Sequence, residues 1–145
     1  MKISQEIRID APAEKTWRAL MDFASYPEWN PLLPSLEGGA GPEAVLRAVV
    51  SPLGMDRRRV MAKVTGYVSP RYFSLESAHR LGEWFYREEF VFRMKEREAS
   101  VIFFAEAYVT GLSLRFRRSA VERGFRLPLI RLCESLKERV EREAP

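Results

Sequence analysis

The sequence predicts an α+β fold in which a curved, seven-stranded antiparallel sheet wraps around one long C-terminal helix, with two short helices after strand 1. Three observations lead to this prediction. Polar and apolar residues alternate in a first segment and again in six segments of the middle of the chain. Hairpin-length links separate those six segments, and such links join antiparallel neighbours. From about residue 113 onward, the apolar residues recur at helical spacing instead.

The first strand and the short helices are predicted from residues 2–30. In 2–10, isoleucines alternate with polar residues, as in a strand with one buried face. Pro12 suits the first position of a helix because the missing N–H would have no partner there. One helix face then carries Ala13, Trp17, Leu20, Met21 and Ala24. A second short helix is expected before residue 30, where prolines interrupt an aromatic-rich stretch.

The other strands are predicted between turns rich in glycine, proline or charge. Their expected ranges are 34–39, 44–50, 57–67, 71–78, 83–94 and 99–109, with a charged turn at 95–98. The final helix is expected over 113–143, which gives a rod of ~45 Å. Pro128 predicts a kink near 124–128, because its ring clashes with the carbonyl of Gly124. The bend is interpreted either as simple curvature around the core or as a hinge above a cavity.

Composition predicts one globular domain over 1–145. The chain has 145 residues and is 46% hydrophobic, which suffices for one core. No apolar run approaches the ~20 residues of a membrane span, and MKISQEIRID lacks the apolar stretch of a secretory signal. The single cysteine, Cys133, excludes an internal disulfide. A cytoplasmic location is therefore expected.

The segment 10–38 resembles the opening of the START-related (SRPBCC) superfamily, the polyketide cyclase/dehydrase and lipid-transport group. The matching elements are Ala11-Pro12, Trp17, Asp22, Tyr26-Pro27-Glu28-Trp29-Asn30-Pro31 and Glu37-Gly38. The resemblance implies a helix-grip fold along the whole chain, with an internal cavity between the sheet and the C-terminal helix.

The same resemblance implies a function but does not choose a ligand. It implies binding, and with it transport, of a hydrophobic small molecule such as a lipid, an isoprenoid or a polyketide-like compound. One alternative is a polyketide cyclase or dehydratase that uses the same cavity. Another is a ubiquinone-binding chaperone-like protein. No cofactor is expected in any of these.

The sixth strand carries the clearest candidate for a polar ligand contact. Its more apolar face contains Trp84, Tyr86, Glu88, Phe90, Phe92 and Met94. Because burying an unpaired carboxylate is costly, Glu88 is expected to be paired or neutral inside a ligand pocket. Alternatively, it lies at the sheet rim or pairs with an arginine of a neighbouring strand. Arg47 and Arg58 are both candidates for that partner, although residues 57–59 also fit a solvated edge.

Further candidates are predicted to line the cavity or its mouth. Trp29 is expected to cap it, with Asn30 offering a hydrogen bond, unless Trp29 simply packs the second helix on the sheet. The aromatic candidates are Phe73, Trp84, Tyr86, Phe90, Phe103, Phe116 and Phe125, and core packing is the alternative for each. Few acid or base groups are available for catalysis: Glu88, Tyr86, His79 and Arg47.

Several other site classes find no support in the sequence. It contains no HExxH motif, no Cys/His cluster and no phosphate-binding glycine loop, so no metal is expected. Cys133 falls in the apolar stripe of the last helix and is interpreted as a buried structural thiol. A basic cluster comprises Arg115, Arg117, Arg118, Arg123 and Arg126. It is interpreted as a solvated helix face or as a transient contact with an anionic membrane surface; nucleic-acid binding is not expected.

Overall fold

The structure, a computed structural model, describes residues 1–78, 87–112 and 114–142. The elements follow in the predicted order. They are β1 (Lys2–Ile9), α1 (Ala13–Met21), a 3-10 turn (Phe23–Ser25), α2 (Tyr26–Trp29), β2 (Ser35–Glu37), β3 (Val45–Val50), β4 (Arg58–Val68), β5 (Tyr72–Ala78), β6 (Arg87–Arg97), β7 (Ser100–Thr110) and α3 (Leu114–Arg142).

Most boundaries agree with the predicted ones to within two residues, and two differ by more. α1 ends at Met21, so Ala24 leaves the predicted helix face and is exposed. The strand predicted at 83–94 is described only from Arg87, and it continues to Arg97 through most of the predicted charged turn. A tight turn at Glu98 and Ala99 follows, with Glu98 in the left-handed region at φ 53°. Lys95, Glu96 and Arg97 are all exposed although they alternate between the two faces, so this end of β6 extends beyond the core into solvent.

All seven strands form one antiparallel sheet in the order β1-β7-β6-β5-β4-β3-β2. The first strand therefore pairs with the last one, and the sheet is open, with β1 and β2 as its two edges. A register shift between Val64 and Gly66 interrupts the pairing of β4 with β5. Such bulges bend a strand and increase its twist. Together with α3, the sheet confirms the predicted helix-grip fold.

The concave face of the sheet forms the core with α3. Registered rows of side chains run across it, for example Val64, Leu75, Phe90 and Ala107 on four successive strands. α3 packs against β1 and β7 and against α1 and α2. Its predicted apolar stripe is buried in full: Leu129, Leu132, Cys133, Leu136 and Val140. On the outer side of α3, Glu138 and Arg142 form an exposed ion pair four residues apart.

The irregularity in α3 lies at a different place from the predicted kink. Non-helical backbone angles occur at Arg117, with φ −131° and ψ 23°, and not at 124–128. Proline fixes φ at a value that a helix already uses, so Pro128 changes the hydrogen bonding of the helix without breaking its dihedral angles. Among the described residues, no helix combines the length and the apolar character that crossing a bilayer requires.

Candidate functional site

The polar centre of the concave face is Glu88, whose side chain is completely buried. Arg58 Nη2 donates to both carboxylate oxygens, Oε1 and Oε2, at 3.0 Å each. Ser77 Oγ donates to Oε1, also at 3.0 Å. A carboxylate offers about four acceptor positions. Within the described part of the chain, these three hydrogen bonds leave one position of Oε2 for a further donor.

Strand register explains how these groups meet. Ser77 on β5 lies directly opposite Glu88 on β6, and Ala62 on β4 lies directly opposite Ser77. Arg58 begins β4, four residues before Ala62, and so shares the concave face with it. Its long side chain then reaches across β5 to a strand that is not its neighbour. One of the alternatives for Glu88, pairing with an arginine, is thus observed, but its partner Arg58 lies two strands away rather than on a neighbouring strand.

These contacts decide between Arg47 and Arg58 as the partner of Glu88, and between a solvated and an inward-pointing Arg58. Arg47 forms an exposed ion pair with Glu37 at 3.3 Å, away from Glu88. The interpretation of residues 57–59 as a wholly solvated edge is wrong for Arg58, whose side chain is only 22% exposed. Sequence reasoning did not single out Ser77. Ser77 follows Phe73 and Leu75 at a spacing of two residues along β5, and this alternation indicates that it shares their buried face.

Short side chains surround the polar centre. Ala48, Ala62 and Ala107 are all buried on the concave face toward this end of the sheet. Phenylalanines occupy the far end of the same face instead. Phe73, Phe92 and Phe103 lie in one file with nearly parallel rings, at centroid distances of 6.4 and 6.2 Å. One end of the core is therefore filled by aromatic rings, whereas the end around Glu88 carries smaller groups.

The N-terminal half of α3 and the loop after β3 cover the polar end. Phe125 of α3 lies over Phe90, with ring centroids 6.2 Å apart. Gly124, one residue earlier, approaches the loop so closely that a Cβ atom there would lie 3.0 Å from the carbonyl oxygen of Leu53. Glycine at this position allows the helix and the loop to meet.

Asn30 supplies a second buried polar group. Its Oδ1 accepts hydrogen bonds from the amides of Leu32 at 3.2 Å and Leu33 at 2.8 Å, which fixes the turn after α2. Its Nδ2 is buried and has no acceptor among the residues that the structure describes. A buried amide donor without a partner costs about 1–3 kcal/mol. A water molecule or a ligand oxygen would satisfy it.

Trp29 lies beside α3. Its indole N–H donates to Ser25 Oγ at 2.9 Å, and its ring meets Tyr26 edge to face at 5.0 Å. With Ser135 and Glu138 of α3 it lines a shallow outer groove. These contacts agree with the packing interpretation of Trp29.

The remaining predicted site residues separate into three groups. Phe73, Phe90, Phe103 and Phe125 are buried in the core, as expected. The prediction for Phe116 is wrong: its side chain is 83% exposed and does not line the interior. Leu114 and Val121, two turns apart on α3, are the residues of this segment that pack against the core, and Phe116 lies on the other side of the helix. Trp84, Tyr86 and His79 lie outside the described residues.

Cys133 and the metal-binding residue types offer no further site. Burial raises the pKa of the Cys133 thiol to about 12, so it stays protonated at neutral pH. Within 1–78, 87–112 and 114–142, no three His, Cys, Asp or Glu residues are grouped as metal ligands would be.

A different carboxylate is buried on the convex face, where it links three strands. Glu106 on β7 accepts from Arg93 Nε at 2.8 Å, from Lys2 Nζ at 2.9 Å and from the hydroxyl of Tyr108 at 3.2 Å. Burial by itself would raise the pKa of Glu106, but the hydrogen bonds and charges of Arg93 and Lys2 outweigh it and hold that pKa below the ordinary range. This cluster joins β1 to β6 and β7.

Comparison with known proteins places the chain among proteins of similar fold. The sequence profile of the family described as polyketide cyclase/dehydrase and lipid transport matches residues 1–141. No curated protein matches the chain significantly.

Three solved structures illustrate the similarity of the fold. A START superfamily protein from Mycobacterium smegmatis is 21% identical, with a TM-score of 0.75 and 97% of each chain covered. TTHA0849 from Thermus thermophilus is 17% identical, with a TM-score of 0.76 and 97% of each chain covered. The Zhui aromatase/cyclase from a Streptomyces species is 14% identical, with a TM-score of 0.74; 98% of this chain and 94% of that one are covered.

Proposed function

The chain belongs to the polyketide cyclase/dehydrase and lipid transport family, and we propose that it binds a hydrophobic small molecule bearing a hydroxyl group between the concave face of the sheet and α3. Membership of this family supports a hydrophobic ligand. Buried side chains of this chain support the position and the polar end proposed for the ligand.

The observation that carries the proposal is the ion pair of the buried Glu88 with the largely buried Arg58, which, with Ser77, forms a polar centre on a mainly apolar face. Replacing a buried ion pair by apolar side chains is often neutral or stabilising, so such a pair is a poor device for stability alone. It is well suited to recognising a polar group. The remaining acceptor position on Glu88 Oε2 selects a donor, and a hydroxyl is the donor that a lipid, an isoprenoid or a polyketide-like molecule commonly carries.

The apolar part of the ligand would lie under α3, beside the short side chains of β3, β4 and β7. Removing ~400 Å² of apolar surface from water is worth on the order of 10 kcal/mol. Lost translational and rotational freedom costs several kcal/mol of this. The remainder is enough for specific binding.

Organic extraction of the purified protein followed by mass spectrometry tests the class of ligand. A co-purifying lipid, quinone or polyketide-like compound with a hydroxyl group is the expected result. Extracts without a hydrophobic compound, together with failure to bind any apolar probe, would contradict the proposal.

A matched pair of fluorescent probes tests the polar contact. Naphthol and methoxynaphthalene have the same ring system, but only naphthol donates a hydrogen bond. We expect naphthol to bind about tenfold more tightly, and Glu88→Gln to remove this preference, because one charge-assisted hydrogen bond contributes about 1.5–3 kcal/mol. Glu96→Gln is the control, since Glu96 lies on the same strand but is exposed. Equal affinities for the two probes in the parent protein would refute the role of Glu88.

A further inference from the structure

The first turns of α3 expose a large aromatic side chain. Phe116 is 83% exposed, and the neighbouring Leu112 on the connection from β7 is 39% exposed. Transferring a phenylalanine side chain from water to an apolar medium is worth about 1.5–3 kcal/mol. The first turns of α3 therefore present an apolar group that the rest of the described chain does not cover.

Arginines flank Phe116 on the first turns of α3. Arg115, Arg117, Arg118 and Arg123 are exposed, and among the residues that the structure describes none of them forms an ion pair. By contrast, Arg126 of the same basic cluster pairs with Glu122 at 3.1 Å. These four cations thus leave a concentrated positive charge on the exposed surface of the first turns of α3, near Phe116 in the sequence.

Positive charge at this position destabilises α3. Cations are unfavourable near the first turn of a helix, where the macrodipole is positive, and carboxylates are favourable there. The first turn of α3 contains no acidic residue. The non-helical angles at Arg117 fall in the same short segment. A helix that merely needed a solvated face would have no reason to collect arginines at this end.

We propose that this basic aromatic patch, defined as Phe116 with Arg115, Arg117, Arg118 and Arg123, docks on the surface of an anionic lipid bilayer. The arginines match lipid phosphates in charge and in hydrogen bonding. The ring inserts at the boundary between headgroups and acyl chains, as apolar side chains of interfacial helices do. Nucleic-acid binding fits less well, because successive bases require several aromatic platforms along a groove.

Vesicle sedimentation tests the proposal with the full chain. Vesicles of equal parts phosphatidylcholine and phosphatidylglycerol are compared with vesicles of phosphatidylcholine alone. We expect at least tenfold tighter binding to the anionic vesicles at about 0.1 M salt, and loss of this advantage at about 1 M salt, where the Debye length falls to about 3 Å.

Two variants and their matched controls separate the contributions. One arginine near an anionic surface contributes about fivefold in affinity. The triple change Arg115→Gln, Arg117→Gln and Arg118→Gln should therefore weaken binding about 100-fold, and Phe116→Ser about tenfold. The charge-matched control is Arg71→Gln, Lys95→Gln and Arg97→Gln, at the opposite end of the sheet. Val68→Ser is the control for Phe116, because Val68 is an exposed apolar residue, also at that end.

Three results would overturn the proposal: equal binding to both kinds of vesicle, parent-like binding by the triple variant, or no effect of Phe116→Ser. Binding of the same strength to duplex DNA, lost with the arginines but not with Phe116, would show a nucleic-acid surface instead. Naphthol binding is measured on every variant, so that failure of the interior site and failure of this surface are distinguished.

Discussion

The backbone amide of Leu53 donates a 2.8 Å hydrogen bond to the carbonyl oxygen of Gly124, and this bond joins the loop after β3 to the middle of α3. In a regular helix this carbonyl would accept from the amide of residue 128. Pro128 has no N–H, so the carbonyl of Gly124 is left for another donor. The proline thus creates an attachment point on the helix, and the loop beside the candidate site uses it.

Pro128→Ala tests this relationship. Alanine restores an N–H that competes with Leu53 for the Gly124 carbonyl, and a backbone hydrogen bond contributes about 1 kcal/mol. We expect the Leu53 amide to exchange with solvent about fivefold faster, as measured by hydrogen exchange in NMR. Ser119→Ala, on the exposed side of the same helix, should leave that rate unchanged. An unchanged rate in Pro128→Ala would mean that the proline is not what holds the loop, and that a hinge at this position should be abandoned.

Replacing the buried ion pair separates stability from binding. Arg58→Leu leaves Glu88 buried without its cation and should cost about 3 kcal/mol of unfolding free energy, the lower end of the usual range because Arg58 is partly exposed. The double variant Arg58→Leu, Glu88→Leu should return to within about 1 kcal/mol of the parent. Urea denaturation measures both. The double variant should nevertheless lose the preference for naphthol over methoxynaphthalene; a retained preference would assign hydroxyl recognition to other residues.

Asn30→Asp isolates the unsatisfied amide donor. Aspartate keeps the oxygen that accepts from Leu32 and Leu33, and two backbone amides are good partners for a carboxylate. The donor alone is lost. If a ligand oxygen accepts from Asn30, the affinity of the Asn30→Asp variant for acetylnaphthalene, relative to its affinity for methylnaphthalene, should fall about fivefold. This factor corresponds to the loss of one hydrogen bond, which contributes about 1 kcal/mol. The same relative affinities in parent and variant would indicate that water satisfies this donor.

Glu106 predicts a pH-dependent contribution to stability. Its pKa is lower in the folded chain than in the unfolded chain, so the folded state binds fewer protons. The stabilisation is therefore present above the ordinary carboxyl pKa of about 4 and is lost as the pH falls through the lowered value. Glu106→Gln should cost about 2 kcal/mol at pH 7 and much less near pH 2. Urea denaturation at both pH values checks this, with Glu96→Gln as the exposed control. A cost independent of pH would mean that packing, not charge, accounts for the effect.

The periodicity of apolar residues in the sequence was sufficient to predict the order of the helices and strands and the buried face of each. The alternation along β6 put Glu88 on the same face as Phe90 and Phe92, and the structure confirms this placement. The spacing of Leu129, Leu132 and Leu136 likewise identified the buried side of α3. These features depend on residues close together in the chain, and local geometry fixes which side of a strand or helix they share.

Only the tertiary structure decided which distant groups meet. Arg58 and Glu88 are 30 residues apart and lie on strands that are not neighbours, so no local pattern identifies Arg58 rather than Arg47 as the partner. Phe116 has the apolar character of a core residue, yet it is exposed while Leu114 on the same turn of α3 packs against the core. Periodicity assigns a residue to a face, whereas burial and pairing depend on what the folded chain places opposite that face.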